Sequence, residues 1–187
     1  MPTIYIIAGP NGAGKTTAAK TLLPEIFHCD YFLNADEIAA QLNPKDVESV
    51  AFLAGRIMLQ QIESTLLLKR TFSIETTLAT RSYLNLIRKA QLINYEVVLL
   101  FFYLPSAEMA KERVALRVSR GGHNIPEDAI ERRYKAGIQN LERFIEIVDR
   151  WYVYDNSKSP AEIIAIGERS KQIKIINFGL WERLKTK

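Results

Sequence analysis

The sequence predicts a three-layer α/β fold, with a mostly parallel sheet between two layers of helices. Three observations predict it. Short apolar, β-branched runs alternate with helix-periodic segments along the chain, the pattern of parallel strands joined by right-handed crossovers. Val97–Leu104 is continuously apolar, as a strand covered on both faces must be. A glycine-rich turn separates the first strand from the first helix.

Each element has a local cause. Thr3–Ala8 is β-branched and aromatic and stops at Gly9-Pro10, so it reads as a strand. Ala13–Leu23 reads as a helix that Pro24 ends. Tyr31–Ala35 is a short apolar run ending at Asp36. Lys45–Leu68 carries Val47, Val50, Leu53, Ala54, Ile57, Met58, Ile62 and Leu66 near helical spacing. Thr71–Ile74 reads as a strand ending at Glu75, and Arg81–Ile93 as a helix. Pro105 closes the Val97–Leu104 strand, and Ser106 then caps a helix over Ala107–Val118. Gly121-Gly122 breaks the chain before Pro126 opens a helix over Glu127–Val148. Trp151–Tyr154 reads as a strand, Pro160–Arg169 as a helix, Ile173–Phe178 as a strand, and the tail from Leu180 as a short helix.

Composition narrows the class. The 187 residues are 48% hydrophobic and 25% charged, with no repeat or linker-like stretch, so a single domain over 1–187 is expected. The net charge of +4 suits a protein that handles phosphates and is too weak to argue for nucleic-acid binding. One cysteine, Cys29, allows no disulfide within the chain, so a reducing cytoplasm is expected. No apolar run approaches the roughly 20 residues that span a bilayer, and no membrane partner is expected.

The glycine-rich turn carries the chemistry. Gly9-Pro10-Asn11-Gly12-Ala13-Gly14-Lys15-Thr16 fits G-x-x-x-x-G-K-[ST] between a strand and a helix, the setting of a phosphate-binding P-loop. Its glycines let successive N–H groups face phosphate oxygens, and the helix N-terminus adds a positive dipole end. Lys15 can reach the β- and γ-phosphates of ATP, and the Thr16 hydroxyl can ligate Mg²⁺. GTPase signatures are missing, because no aspartate has glycine three residues on. An LSGGQ-like segment is missing too, and no Walker-B acid follows the most apolar strand. A kinase branch remains, with acids at the ends of neighbouring strands.

Two acids qualify. Asp36 follows the second apolar run and Glu75 the third, and ligands of open parallel sheets bind beyond the carboxyl ends of the strands. A carboxylate there can take the proton of an attacking hydroxyl. Asp36 reads either as that base or as the N-cap of a helix over Glu37–Leu42. Glu75 reads either as a substrate or metal contact or as a cap.

From Arg113 to Lys135 the sequence holds six basic residues (Arg113, Arg117, Arg120, Arg132, Arg133, Lys135) against Glu127, Asp128 and Glu131. Arg113, Arg117 and Arg120 recur at helical spacing and so share a face. Two arginine-rich helices about a glycine turn suit a lid, which neutralises the transferring phosphoryl group and excludes water. The alternative is a solvated face with i,i+4 pairs. Asp155-Asn156-Ser157 could flank an adenine or be a plain turn.

In combination and in this order, Gly9–Thr17, Leu33-Asn34-Ala35-Asp36-Glu37-Ile38, Ile74-Glu75-Thr76-Thr77-Leu78, Arg113–Pro126 and Arg132-Arg133-Tyr134 resemble the zeta-toxin family of P-loop kinases over roughly residues 3–157. The resemblance implies a five-stranded parallel core in the order 2-3-1-4-5 and ATP-dependent phosphorylation of a hydroxyl, on UDP-N-acetylglucosamine in the characterised toxins. It implies that Lys15 and Thr16 hold ATP and Mg²⁺, that Asp36 is the general base, that Glu75 and Thr77 contact the acceptor, and that Arg117 stabilises the transferring phosphate. Where the toxins carry an arginine about three residues before the lid proline, this chain has His123; Arg120 is the substitute. The full expected site adds Thr17, Arg113 and Asn156 on the ATP side, and Arg81, His123 and Arg133 on the acceptor side. The expected partners are a small-molecule acceptor and an antitoxin-like protein. Two other readings stay open: a polynucleotide or RNA kinase, and a nucleotide-binding switch with no small-molecule acceptor.

Overall fold

A computed structural model describes residues 1–25, 27–169 and 172–186. Its elements in chain order are β1 (Thr3–Ala8), α1 (Lys15–Glu25), β2 (Phe32–Leu33), α2 (Ala35–Leu42), a 3-10 turn (Glu48–Val50), α3 (Ala51–Leu67), β3 (Phe72–Thr76), α4 (Ser82–Leu92) and β4 (Glu96–Tyr103). There follow α5 (Ala107–Ser119), α6 (Glu127–Ile145), β5 (Arg150–Asp155), β6 (Glu162–Glu168), β7 (Gln172–Ile175) and α7 (Phe178–Lys185). The strands form one sheet in the order β2-β3-β1-β4-β5-β6-β7. The first five are mutually parallel, so the core order 2-3-1-4-5 stands as expected.

The sheet is covered on both faces. Every residue from Val97 to Leu104 is buried. A strand whose alternate faces are both dry must lie between two layers. Ser106 caps α5 as expected, accepting from the Met109 N–H at 3.1 Å. Among the described residues, no helix is long and apolar enough to cross a membrane.

One element differs in type. Pro160–Arg169 is not a helix, because β6 occupies Glu162–Glu168 and pairs antiparallel with β5. Its isoleucines are β-branched, and Ile164 and Ala165 are both fully buried against the sheet. Strand pairing with Arg150–Asp155 outweighs the weak local helical pattern. β7 is antiparallel as well, which makes the sheet mixed rather than uniformly parallel. Phe178, expected at the end of that strand, instead begins α7 behind an Asn177 cap. The long helix expected over Lys45–Leu68 is divided into the 3-10 turn and α3.

The parallel register sets the site. Ile7 of β1 lies opposite Glu75 of β3, and Ala8 lies opposite Phe101 of β4. The turn after β1 therefore emerges beside the end of β3. On the far side of β4, Tyr103 pairs with Asp155. The loop after β5 thus reaches the same edge.

Trp151 anchors the antiparallel extension. It is fully buried, and its ring stacks on Trp181 of α7 at 5.6 Å and 6° between planes. Trp151→Ala removes a large side chain that the surroundings cannot replace. It is expected to lower unfolding free energy by about 3–5 kcal/mol, read as a lower urea midpoint with an unchanged slope.

Candidate active site

Four strand ends and two helix starts converge here. Gly12 and Gly14 both adopt φ 75°, a left-handed conformation that turns the backbone N–H groups of the P-loop toward one another's concave side. The loop is braced from outside by Asn156. Its Nδ2 donates to the Ala13 carbonyl at 2.7 Å, and its backbone N–H donates to Tyr103 O at 3.0 Å. The carbonyls of Asn156 and Ser157 in turn accept from Arg113 at 2.8 and 2.9 Å. Both Asn156 and Arg113 are thus beside the loop, and their observed bonds hold its outer wall.

Lys15 is buried at the start of α1. Its Nζ donates to the Pro10 carbonyl at 2.9 Å and lies 3.6 Å from Glu75 Oε1. Burial pulls its pKa below the usual lysine value, against the opposing pull of Glu75 and Asp36. Arg117 pushes it further down. Glu75, Asp36 and Arg117 therefore all act on Lys15.

Glu75 is tied down at both oxygens. Oε2 accepts from the Thr16 hydroxyl at 2.7 Å and from Asn34 Nδ2 at 3.0 Å, while Oε1 faces Lys15. The sequence holds no Walker-B acid after its most apolar strand, β4. The acid that bonds the P-loop threonine stands instead on β3, the other neighbour of β1.

Asp36 is not the cap of α2. Asn34 caps it, with Oδ1 accepting from the Asp36 N–H at 2.8 Å. The Asp36 carboxylate is thereby left half-exposed at the crevice, 3.8 Å from His123 Nε2. His123 sits in the turn between α5 and α6. Arg117 Nη2 donates to its carbonyl at 3.0 Å and lies 3.4 Å from its Nε2. Burial, and then Arg117, lower the pKa of the imidazole; Asp36 and Glu48 act the other way, and Arg133 adds to the lowering.

The remaining expected residues divide. Arg133 is half-buried on the His123 side. Thr77 is half-buried just beyond Glu75. Arg81 is exposed, its Nε donating to Asn140 Oδ1 at 3.3 Å. Thr17 faces outward on α1, and Arg120 is exposed at the C-cap of α5. Among the described residues, no hydrogen bond or ion pair joins Arg120 to the cluster. Arg113, Arg117 and Arg120 therefore do not act as one face. Arg132 is exposed and faces Asp128 at 3.7 Å, one of the i,i+4 pairs of a solvated surface.

Two contributors had no role assigned from the sequence. Asn34 stands inside the Leu33–Ile38 motif with no task of its own, yet it links Asp36 to Glu75. Buried Asn140 of α6 donates to the Leu78 carbonyl at 2.8 Å and so fixes the turn after β3. The preference of asparagine for N-caps was a usable signal for Asn34. Asn140 carried none, because its partner is 62 residues away.

The donor set fits Mg-ATP. The two left-handed glycines shape a concave loop that could cradle phosphate, a buried cation stands at its floor, and the Thr16 hydroxyl, which donates to Glu75, has an oxygen that could ligate a cation. Among the described residues, no group of three or more His, Cys, Asp or Glu could hold a metal alone. A metal here would rest on Thr16 together with the nucleotide.

The chain is 28% identical over 126 residues to an uncharacterized protein of Haemophilus influenzae, covering 67% of this chain and 88% of that one. Its fold superposes on the structure of the PezAT chromosomal toxin–antitoxin system of Streptococcus pneumoniae with a TM-score of 0.69 at 19% identity, over 100% of this chain and 80% of that one. It also superposes on AvrRxo1-ORF1:-ORF2 solved with ATP, with a TM-score of 0.73 at 16% identity, over 98% of this chain. The match spans only 63% of that longer chain. Both likenesses place the molecule in the three-layer P-loop fold. Across residues 4–144 the sequence matches the AAA domain family (AAA_33), and the chain belongs to that family.

Proposed function

We propose that the protein is an ATP-dependent phosphotransferase that moves the γ-phosphoryl group to a hydroxyl of a small molecule. The observation that carries this reading is the Asp36 carboxylate. It is half-exposed at the crevice, relieved of capping by Asn34, and close enough to Lys15 to pull on its pKa.

Each residue then has a task. The P-loop N–H groups and Lys15 bind the phosphates, Lys15 serving as the cation for the β- and γ-oxygens. Glu75 orders the Thr16 hydroxyl and balances the charge of Lys15. Mg²⁺, when bound, neutralises phosphate charge beside Thr16. Asp36 accepts the proton of the acceptor hydroxyl as that oxygen bonds to the γ-phosphorus and the bond to the β–γ bridging oxygen breaks. Arg117 offsets charge on the transferring group.

The lid is narrower than residues 113–135. Arg113 is pinned to the loop after β5, Lys111 bonds Glu131 across α5 and α6 at 3.1 Å, and Asn140 ties α6 to the β3 turn. Closure then belongs to the turn between Arg117 and Pro126. Asn156 braces the loop, and Arg81, Thr77, His123 and Arg133 line the acceptor side.

The likeness to PezAT supports a zeta-toxin-like kinase, and the AvrRxo1 structure with ATP supports ATP as donor. UDP-N-acetylglucosamine is accordingly the first acceptor to test, and an antitoxin-like protein is the corresponding partner. Incubation with Mg-ATP and a panel of nucleotide sugars, nucleosides, sugars and short oligonucleotides should add the mass of one phosphate to one small-molecule class. Phosphorylation of oligonucleotides alone would replace this reading with a polynucleotide kinase. ATP binding with no acceptor phosphorylated would leave a nucleotide-binding switch.

A further inference from the structure

His123 stands between a carboxylate and a guanidinium, and its Nε2 cannot donate to the one and accept from the other at once. Asp36 Oδ2 lies 3.8 Å away on α2, and Arg117 Nη2 lies 3.4 Å away on α5. With the proton of the neutral ring on Nδ1, Nε2 is an acceptor and can take a hydrogen bond only from Arg117. Protonated, it is a donor, attracted to Asp36 and repelled by Arg117. Two further charges act on the ring, Glu48 from the 3-10 turn and Arg133 from α6. The backbone carbonyl of the same residue already holds Arg117 Nη2 at 3.0 Å.

Building on the phosphotransferase reading, we propose that His123 is a positioning residue whose protonation decides whether it holds Arg117 or Asp36, and that turnover requires the neutral ring. In the neutral state the proton sits on Nδ1, and His123 grips Arg117 through both Nε2 and its carbonyl. The guanidinium is thereby aimed from the lid turn into the crevice, and Asp36 stays an unencumbered base. In the protonated state the imidazolium pairs with the oxygen that must take the acceptor's proton. The same change loosens Arg117. One proton thus disables the base and the phosphate-stabilising arginine together.

The direction follows from the surroundings. Burial and the two arginines outweigh the two carboxylates, so the ring titrates below the ordinary 6.5. Neutral His123 prevails at pH 7, and turnover falls as pH drops through its folded-state pKa.

The protein has only two histidines, His28 and His123, so ring-proton NMR can follow each of them. The His123 resonance, identified by its loss in His123→Gln, should titrate below 6.5. Asp36→Asn should lower that midpoint further, and Arg117→Met should raise it. In kinetics, kcat of the unaltered protein should fall about tenfold per pH unit below the midpoint. His123→Gln should lose that inflection. A His123 midpoint unmoved by both Asp36→Asn and Arg117→Met overturns the assignment, with or without turnover. So does a His123→Gln profile that keeps the same inflection at a uniformly lower rate, which is what a purely structural role would give. Failure to phosphorylate any acceptor would sink the phosphotransferase reading instead, and the NMR arm separates the two.

Discussion

Asp36→Asn is expected to lower kcat by about 10²–10⁴-fold, the range that a positioned general base contributes, while ATP affinity stays close to that of the unaltered protein. Two carboxylates face the crevice, and only one of them is free to take a proton. Glu75 has Thr16 and Asn34 on one oxygen and Lys15 beside the other. Protonating it would break the arrangement that orders the P-loop threonine. Asp36 has no such duty, because Asn34 caps the helix in its place. Asparagine preserves the volume, and the backbone N–H at position 36 still has its bond to Asn34 Oδ1. The substitution therefore removes a base without disturbing α2. Initial rates with the best acceptor and calorimetric titration with ATP test the two halves separately. Turnover within a few-fold of the unaltered protein would take the base role away from Asp36.

The site was legible where its residues are joined by short sequence distances. The P-loop sits between its own strand and helix, so Gly9–Thr16 announced its structural context. The strand-end rule then brought Asp36 and Glu75 to the same crevice. What each acid does there was not legible. It depends on Asn34 reaching Glu75 across 41 positions and on Thr16 reaching it across 59. No acid follows β4, the central and most apolar strand, as expected; the acid that bonds the P-loop threonine ends β3, on the other side of β1. The arginines show the same limit. Helical spacing put Arg113, Arg117 and Arg120 on one face, but the helix ends at Ser119 and Arg120 turns outward as its cap. In the fold, β1 to β5 were readable from apolar runs alone. β6 was not, because Glu162–Glu168 becomes a strand only by pairing with β5.

Lys15→Met is expected to lower kcat/KM for ATP by about 10²–10³-fold, the cost of losing one preorganised electrostatic contact to the reacting phosphates. The same change should leave the fold intact or slightly more stable. An ammonium group that is 6% exposed has lost most of its hydration, and burial is the largest influence on its pKa. Glu75 and Asp36 compensate only in part, since the pKa remains below the ordinary 10.5. Between that depressed folded value and 10.5 the unfolded chain holds the proton more firmly than the folded one. The contribution of Lys15 to stability therefore rises with pH across that window and is lowest when the lysine is fully charged. Methionine keeps the apolar stem and removes the charge, so the variant should lose this pH dependence. Glu75 keeps the donors Thr16 and Asn34. Melting temperatures at neutral and alkaline pH, compared between the two proteins, measure the effect. A variant that loses turnover and also unfolds would make Lys15 a structural ion-pair partner of Glu75. A variant that loses turnover yet melts no lower identifies a buried charge kept in the P-loop for phosphate, at a cost to stability.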